Sequence, residues 1–280
     1  MNSIQTSLEY AFKTLQALSD TAQLDSEILL CHVLDKNRAY LRTWPERKLN
    51  REQIIEFQQL VKKRETGLPI AYLVGKKEFW SREFFINQHV LIPRPETELL
   101  IEIALDLIPD NQSKSIIDLG TGSGAISITL AAERPLTNIT ATDISIHALD
   151  VAKTNAKKHN IANIKFLASH WLRQLANKKH HLIVSNPPYI DPEDPHLQRG
   201  DIRFEPKKAL IADHQGLADI FEIVETAKNF LCPRGYLIIE HGYNQKQQVQ
   251  SIYEKFKYTN ITSHHDLAGQ PRITLGQWQP

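Results

Sequence analysis

The chain has 280 residues, of which 41% are apolar, and its formal net charge is +1. That length holds one large domain or two unequal ones around a packed core, and near neutrality argues against a broad nucleic-acid surface. The two cysteines, Cys31 and Cys232, stand far apart without metal spacing, so buried, reduced thiols and no disulfide are expected. Glu9 sits where a signal peptide would be apolar, and no segment reaches the ~18 apolar residues that span a bilayer. A soluble cytoplasmic protein is expected.

Residues 1–70 carry helical periodicity. Leu8, Phe12, Leu15 and Leu18 form one stripe, and Leu24, Ile28, Leu29 and Val33 another. Asn50 is placed to cap a further helix with Ile54, Phe57, Leu60 and Val61 inward, and Gly67 and Pro69 mark its end. The expectation is a small helical bundle that serves packing or partner docking. Over 71–94 the pattern turns to aromatic and β-branched residues with turn formers, as in Glu78-Phe79-Trp80-Ser81-Arg82-Glu83-Phe84-Phe85-Ile86, which predicts a β-hairpin linker.

The remainder, 95–280, reads as an α/β domain. The prolines of Leu91-Ile92-Pro93-Arg94-Pro95-Glu96-Thr97-Glu98 delay a helix until Glu96, and it should run to about Leu107. Strand and helix then alternate, which marks a parallel sheet covered on both faces. Strands are predicted at 115–119, 138–143, 163–167, 181–185 and 236–240, with helices at 125–133, 147–159 and 217–230. Two closing strands, 259–265 and 272–277, supply one antiparallel member.

Two stretches carry chemistry. Asp118-Leu119-Gly120-Thr121-Gly122-Ser123-Gly124 lies between the first strand and a helix, and Asp143 closes the next strand, where a carboxylate can accept ribose hydroxyls. The spacing is GxGxG and not the GxGxxG of dinucleotide folds. Asp118 beside the loop would repel a pyrophosphate but favour an ammonium group. This points to S-adenosylmethionine over NAD. The second stretch, Asn186-Pro187-Pro188-Tyr189, follows the strand at 181–185. Each proline fixes its φ, restricts its predecessor and has no N–H, so the loop presents acceptors. The Asn186 side-chain oxygen and a neighbouring carbonyl can hold both hydrogens of a planar NH2 group. Taken alone, the tetrapeptide reads equally as a proline-rich turn.

These motifs together resemble the seven-stranded, Rossmann-like S-adenosylmethionine-dependent methyltransferases that modify planar exocyclic or amide nitrogens. Within them the chain is similar, nearly end to end, to the glutamine N5-methyltransferases that act on peptide chain release factors. Residues 91–98, Tyr189-Ile190-Asp191, Arg203-Phe204-Glu205-Pro206 and Glu240-His241-Gly242 carry the narrower likeness. The resemblance implies a methyltransferase domain over 95–280 and a substrate glutamine in a Gly-Gly-Gln loop. It implies that Gly120, Thr121, Gly122, Ser123 and Gly124 line the methionine and ribose of the cofactor, with Asp143 on the ribose and Trp171 beside the adenine. Asn186 would touch cofactor and substrate, and Pro187, Pro188 and Tyr189 would complete the substrate and catalytic surface. The family often has an acidic residue before this tryptophan, where this chain has His170.

Other readings stay open on sequence: a ribosomal-protein glutamine methyltransferase, a nucleic-acid adenine N6-methyltransferase acting on a flipped base, or a cofactor-binding regulator without catalysis. The neutral charge disfavours direct nucleic-acid contact, and a monomer is expected. His180-His181 and His264-His265 lack a third ligand at metal spacing, so solvated histidines and no metal are expected. Arg203 and Glu205 either position substrate or pair with each other.

Overall fold

The computed structural model describes residues 2–280. The chain divides into two compact units, one holding residues up to Lys76 together with Gln198–Phe204, the other Lys77–Leu197 together with Glu205–Pro280. The first unit is helical, with α1 (Ile4–Leu15), α2 (Ala22–Leu34), α3 (Arg38–Thr43), α4 (Arg51–Glu65) and α5 (Ile70–Val74). Asn50 caps α4 as its position predicts. Its side chain accepts from the Gln53 N–H at 2.8 Å, and the Gln53 side chain accepts from the Asn50 N–H at 3.0 Å, which satisfies two orphan donors reciprocally.

The inward helix faces differ from the apolar stripes. α1 buries Ile4, Ser7, Ala11 and Leu15, while Phe12 is 38% exposed and Leu18, beyond the helix, is 60% exposed. α2 buries Leu29 and Leu30 together with Asp25, Ser26 and Glu27, and leaves Leu24 exposed. Asp25 takes Arg64 Nε at 2.8 Å and accepts from the Ser19 and Thr21 hydroxyls, and Glu27 pairs with Arg38. A buried charge is tolerated when it is paired and hydrogen-bonded in this way. Arg64 also reaches Asp201 at 2.8 Å, and Arg203 donates to the Thr66 carbonyl at 3.3 Å and stacks on Phe204. These contacts join 198–204 to the helices, and hydropathy gives no sign of them. The short helices α3 and α5 also escape a periodicity reading, because fewer than two turns give too few repeats.

A hairpin, β1 (Lys76–Phe79) and β2 (Arg82–Phe85), starts at the boundary of the two units. Trp80 and Ser81 between its strands have φ of 51° and 55°, the positive values that a two-residue turn matched to strand twist requires. Then come α6 (Glu98–Leu107), β3 (Ser115–Leu119), α7 (Ala125–Glu133), β4 (Asn138–Asp143), α8 (Ile146–Lys158), β5 (Ile164–Ala168) and β6 (His180–Ser185). The single turn α9 (Asp213–Gly216), α10 (Ala218–Ala227), β7 (Leu231–Glu240), α11 (Lys246–Lys255), β8 (Thr259–His265) and β9 (Pro271–Gln277) complete the second unit.

The seven-stranded sheet has the order β5-β4-β3-β6-β7-β9-β8, and β9 alone runs against the others. Ile117, Leu119, Ile183, Leu237 and Ile239 of the sheet pack with Ile220, Ile223 and Val224 of α10 and with Val249 and Tyr253 of α11. This is the α/β architecture expected from the alternating pattern. α11 is absent from the sequence reading because only Val249 and Tyr253 are buried along a helix rich in Lys and Gln. β7 runs back to Leu231 through Pro233 and Gly235, with a register shift between His180 and Leu182 opposite it.

Two side-chain expectations change. His180 is buried and not solvated: its Nδ1 lies 2.7 Å from the Ser115 hydroxyl, and burial lowers its pKa to about 4. Cys31 and Cys232 are free and half-buried, more open than expected. Among the described residues no helix is long and apolar enough to cross a membrane, and no group of three His, Cys, Asp or Glu could hold a metal ion.

The revised helix faces give a direct comparison. Phe57 has no exposed surface, so Phe57→Ala should destabilise the helical unit by about 3–5 kcal/mol. Phe12→Ala should cost less than about 1 kcal/mol. Chemical denaturation of the two variants checks the order, and equal losses would restore the apolar stripe as the buried face.

Candidate active site

Parallel pairing of β3 with β6 places Leu119 opposite Ser185. The Ser185 hydroxyl donates to the Leu119 carbonyl at 2.9 Å. The residues that follow, Gly120 and Asn186, therefore leave the sheet side by side at its carboxyl edge. The strand order reverses there, and open α/β sheets bind ligands at such a point.

The glycine loop is held from below and open above. Gly122 has φ of +55°, and a Cβ there would meet nothing within 4 Å; its N–H donates to Asp143 Oδ2 at 2.9 Å. Gly124 has φ of +83°, a backbone that favours glycine, and a Cβ there would press on the Ile128 tip at 2.7 Å and on Ala152 Cβ of α8 at 3.2 Å. The Thr121 hydroxyl donates to Asp118 Oδ2 at 2.6 Å and lies 2.7 Å from the Ser127 hydroxyl. Asp118 is fully buried, and burial raises its pKa to about 6 against the hydrogen bonds of Thr121 and Ser127. It shapes the loop from beneath. Asn155 of α8 donates to the Ser123 carbonyl at 2.9 Å and exchanges two hydrogen bonds with the Phe85 backbone, so the hairpin braces the loop.

Asp143 lies where the sequence places it, at the end of β4. Its oxygens accept from Gly122 N–H and from Ser145 N–H at 2.8 Å, and burial raises its pKa. Its two oxygens offer about four acceptor positions to these donors and the Ile144 N–H, so at least one remains for a further donor. Trp171, at φ of 48°, brings its ring atom Cζ3 to 3.2 Å from where a Gly120 Cβ would stand. Its indole N–H donates to Asp219 Oδ1 at 3.1 Å, and His170 meets the ring edge-on at a centroid distance of 5.8 Å. An open glycine surface, a carboxylate with a spare acceptor position and an indole face fit a nucleoside bearing an amino acid.

The asparagine loop is tied at its two ends. Pro187 and Pro188 are buried. Asn186 Nδ2 donates to Thr97 Oγ at 3.2 Å, the Tyr189 hydroxyl donates to Glu240 Oε1 at 3.3 Å, and Gln245 Nε2 donates to the Tyr189 carbonyl at 2.9 Å. Glu240 is 1% exposed and its Oε2 has no hydrogen-bond partner. Burial raises its pKa to about 7, opposed by the hydroxyls of Thr97 and Tyr189 and the charge of Arg272. Arg94 ion-pairs with Glu205, whose other oxygen accepts the Ile92 N–H at 3.0 Å. Glu205 thus joins the 91–98 segment to its own. Thr97, Asn155, Asp219, Glu240 and Gln245 carry no sequence signal of their roles, although Thr97 and Glu240 fall inside the segments singled out above.

Known proteins match this architecture. Residues 96–200 match the methyltransferase small domain and residues 6–75 the PrmC N-terminal domain. Among solved structures, a methyltransferase from Pyrococcus furiosus shares the fold, with a TM-score of 0.55 at 15% identity over 80% of this chain and 98% of that one. The chain is a methyltransferase of the seven-stranded S-adenosylmethionine-dependent class. Release factor glutamine methyltransferases from Aliivibrio fischeri and Shewanella oneidensis are 45% and 44% identical to it, over 93% and 98% of this chain and 92% and 96% of their own. It belongs to the release factor glutamine methyltransferase family.

Glu240 gives a pH test. Its folded pKa of about 7 lies above the ordinary 4.5, so the folded chain keeps a proton that the unfolded chain has lost, and stability falls as pH rises through that window. Glu240→Gln removes the titration. Relative to wild type, the variant should gain about 3 kcal/mol between pH 5 and pH 8, read by urea unfolding at each pH. A difference independent of pH would contradict the assignment.

Proposed function

We propose that this chain transfers the methyl group of S-adenosylmethionine to the side-chain amide nitrogen, N5, of the glutamine in the Gly-Gly-Gln loop of peptide chain release factors. It does so as a cytoplasmic monomer, without direct nucleic-acid contact and away from membranes. The carrying observation is the Asn186 carboxamide: its nitrogen is engaged by Thr97, which leaves Oδ1 as acceptor at the head of a loop with no N–H at Pro187 or Pro188. The names of the relatives favour a release factor over a ribosomal protein as the acceptor.

S-adenosylmethionine supplies an electrophilic methyl group on a positively charged sulfur. Residues 120–124 bind its methionine and ribose, Asp143 accepts ribose hydroxyls, and Trp171 packs beside the adenine. Position 170 carries His170 where the family often has an acid, and the indole beside it is fixed from α10 by Asp219.

An amide nitrogen is a poor nucleophile because its lone pair is delocalised into the carbonyl. Asn186 Oδ1 and the Pro187 carbonyl each accept one hydrogen of the glutamine NH2, which turns the nitrogen toward the methyl and stabilises the positive charge that develops on it. Orientation can remove ~7–11 kcal/mol of a barrier. The methylated nitrogen sheds its proton readily, so no strong general base is required. Pro188 and the Tyr189 ring close the substrate surface against water, with the phenol anchored on Glu240.

Asn186→Ala should lower kcat for labelled methyl transfer to a purified release factor by about 10² to 10³. Cofactor binding should remain measurable by calorimetry. Turnover near wild type would remove Asn186 from the reaction.

A further inference from the structure

We infer that Gln245 is a positioning residue that aims the Pro187 carbonyl by clamping the far end of the asparagine loop onto a left-handed turn. The inference rests on the reading above, in which that carbonyl accepts one hydrogen of the substrate amide. The rings of Pro187 and Pro188 fix φ at both residues, so few torsions stay free between Asn186 and Tyr189. Thr97 holds the amino end through Asn186 at 3.2 Å, and fixing the peptide plane after Tyr189 then sets the carbonyls between.

Gln245 fixes that plane. It is 6% exposed, and its side chain bonds only to backbone groups, whose polarity cannot reverse. Oε1 accepts the Gly242 N–H at 2.8 Å, which turns Nε2 the other way, and Nε2 donates to the Tyr189 and Gln215 carbonyls, both at 2.9 Å. One orientation of the carboxamide satisfies all three. The second carbonyl belongs to a turn of uncommon backbone, in which His214, Gln215 and Gly216 have φ of 55°, 60° and 78°. Two successive left-handed residues with side chains persist only where their surroundings dictate it. Here the surroundings include the asparagine loop itself. A Cβ at Gly216 would stand 2.0 Å from the Tyr189 carbonyl oxygen and 2.8 Å from Gln245 Nε2, so the turn lays bare backbone against the clamped group. Ala212, just before the turn, donates its N–H to the Ile190 carbonyl at 3.0 Å. Loop and turn thus meet at two adjacent residues, with Gln245 bridging them.

The test compares Gln245→Met, which keeps the shape and removes the donors, with Gln245→Glu, which keeps an acceptor for Gly242 and turns an oxygen toward two carbonyls. Each should lower kcat for labelled methyl transfer about 10- to 100-fold, the loss that a misplacement of up to about 1 Å brings. The release-factor KM and the cofactor Kd should stay near wild type. In an Asn186→Ala background the loss from either variant should shrink to about 3-fold or less, because residues that hold one amide act as a unit. A residue that only supports the fold costs the same in both backgrounds. Without any substrate, the 13C carbonyl NMR resonances of Pro187 and Tyr189 should move in both variants while that of Gly122 holds. In wild type the Gln245 side-chain NH2 hydrogens should exchange slowly with solvent, a measurement that needs no variant to fold. Equal losses in the two backgrounds, a Pro187 resonance that stays in place, or fast exchange in wild type overturns the inference. Failure of wild type to methylate a release factor overturns the proposed function instead, and the carbonyl resonances and the exchange still judge the clamp.

Discussion

Two consecutive prolines after Asn186 remove the backbone donors that would otherwise pin a loop to its surroundings. What remains is fixed through side chains and carbonyls: Asn186 on Thr97, Tyr189 on Glu240, and the Tyr189 carbonyl on Gln245. Just beyond, the Ile190 N–H donates to the Leu210 carbonyl and Ile190 accepts from the Ala212 N–H, at 2.9 and 3.0 Å. A stiff loop anchored at both ends is the outcome. Pairing of β3 with β6 then sets this loop beside the glycine loop without any further device.

The arrangement carries an electrostatic burden. Asp118 and Glu240 lie beneath the two loops, both fully buried and both raised in pKa by burial. An oxygen of each, Asp118 Oδ1 and Glu240 Oε2, has no hydrogen-bond partner. Buried carboxylates of this kind weaken a fold at neutral pH. Each also holds a loop at the site: Asp118 shapes the glycine loop through Thr121, and Glu240 anchors the phenol of Tyr189.

The class of the fold was legible because strand and helix alternate with clear punctuation, and the glycine loop and the asparagine–proline tetrapeptide fall at strand ends. Less legible was everything that polar partners decide. The buried face of α2 includes Asp25 and Glu27, which hydropathy assigns to solvent, because their partners Arg64 and Arg38 lie far along the chain. α11 hides behind a mostly polar surface. At the site, type and spacing place the glycine loop, Asp143 and the asparagine–proline loop at strand ends, while Trp171 comes from the resemblance alone. The residues that hold them carry no such sign: Thr97 meets Asn186 across 89 positions and Tyr189 meets Glu240 across 51.

The site that receives the methyl group decides most directly between a release-factor glutamine and any other acceptor. A purified release factor, incubated with this protein and S-adenosylmethionine, is digested and its peptides sequenced by mass spectrometry. One added methyl on the side-chain nitrogen of the Gly-Gly-Gln glutamine is the predicted result. A methyl carried elsewhere on the factor, or labelling that survives replacement of that glutamine, would contradict it.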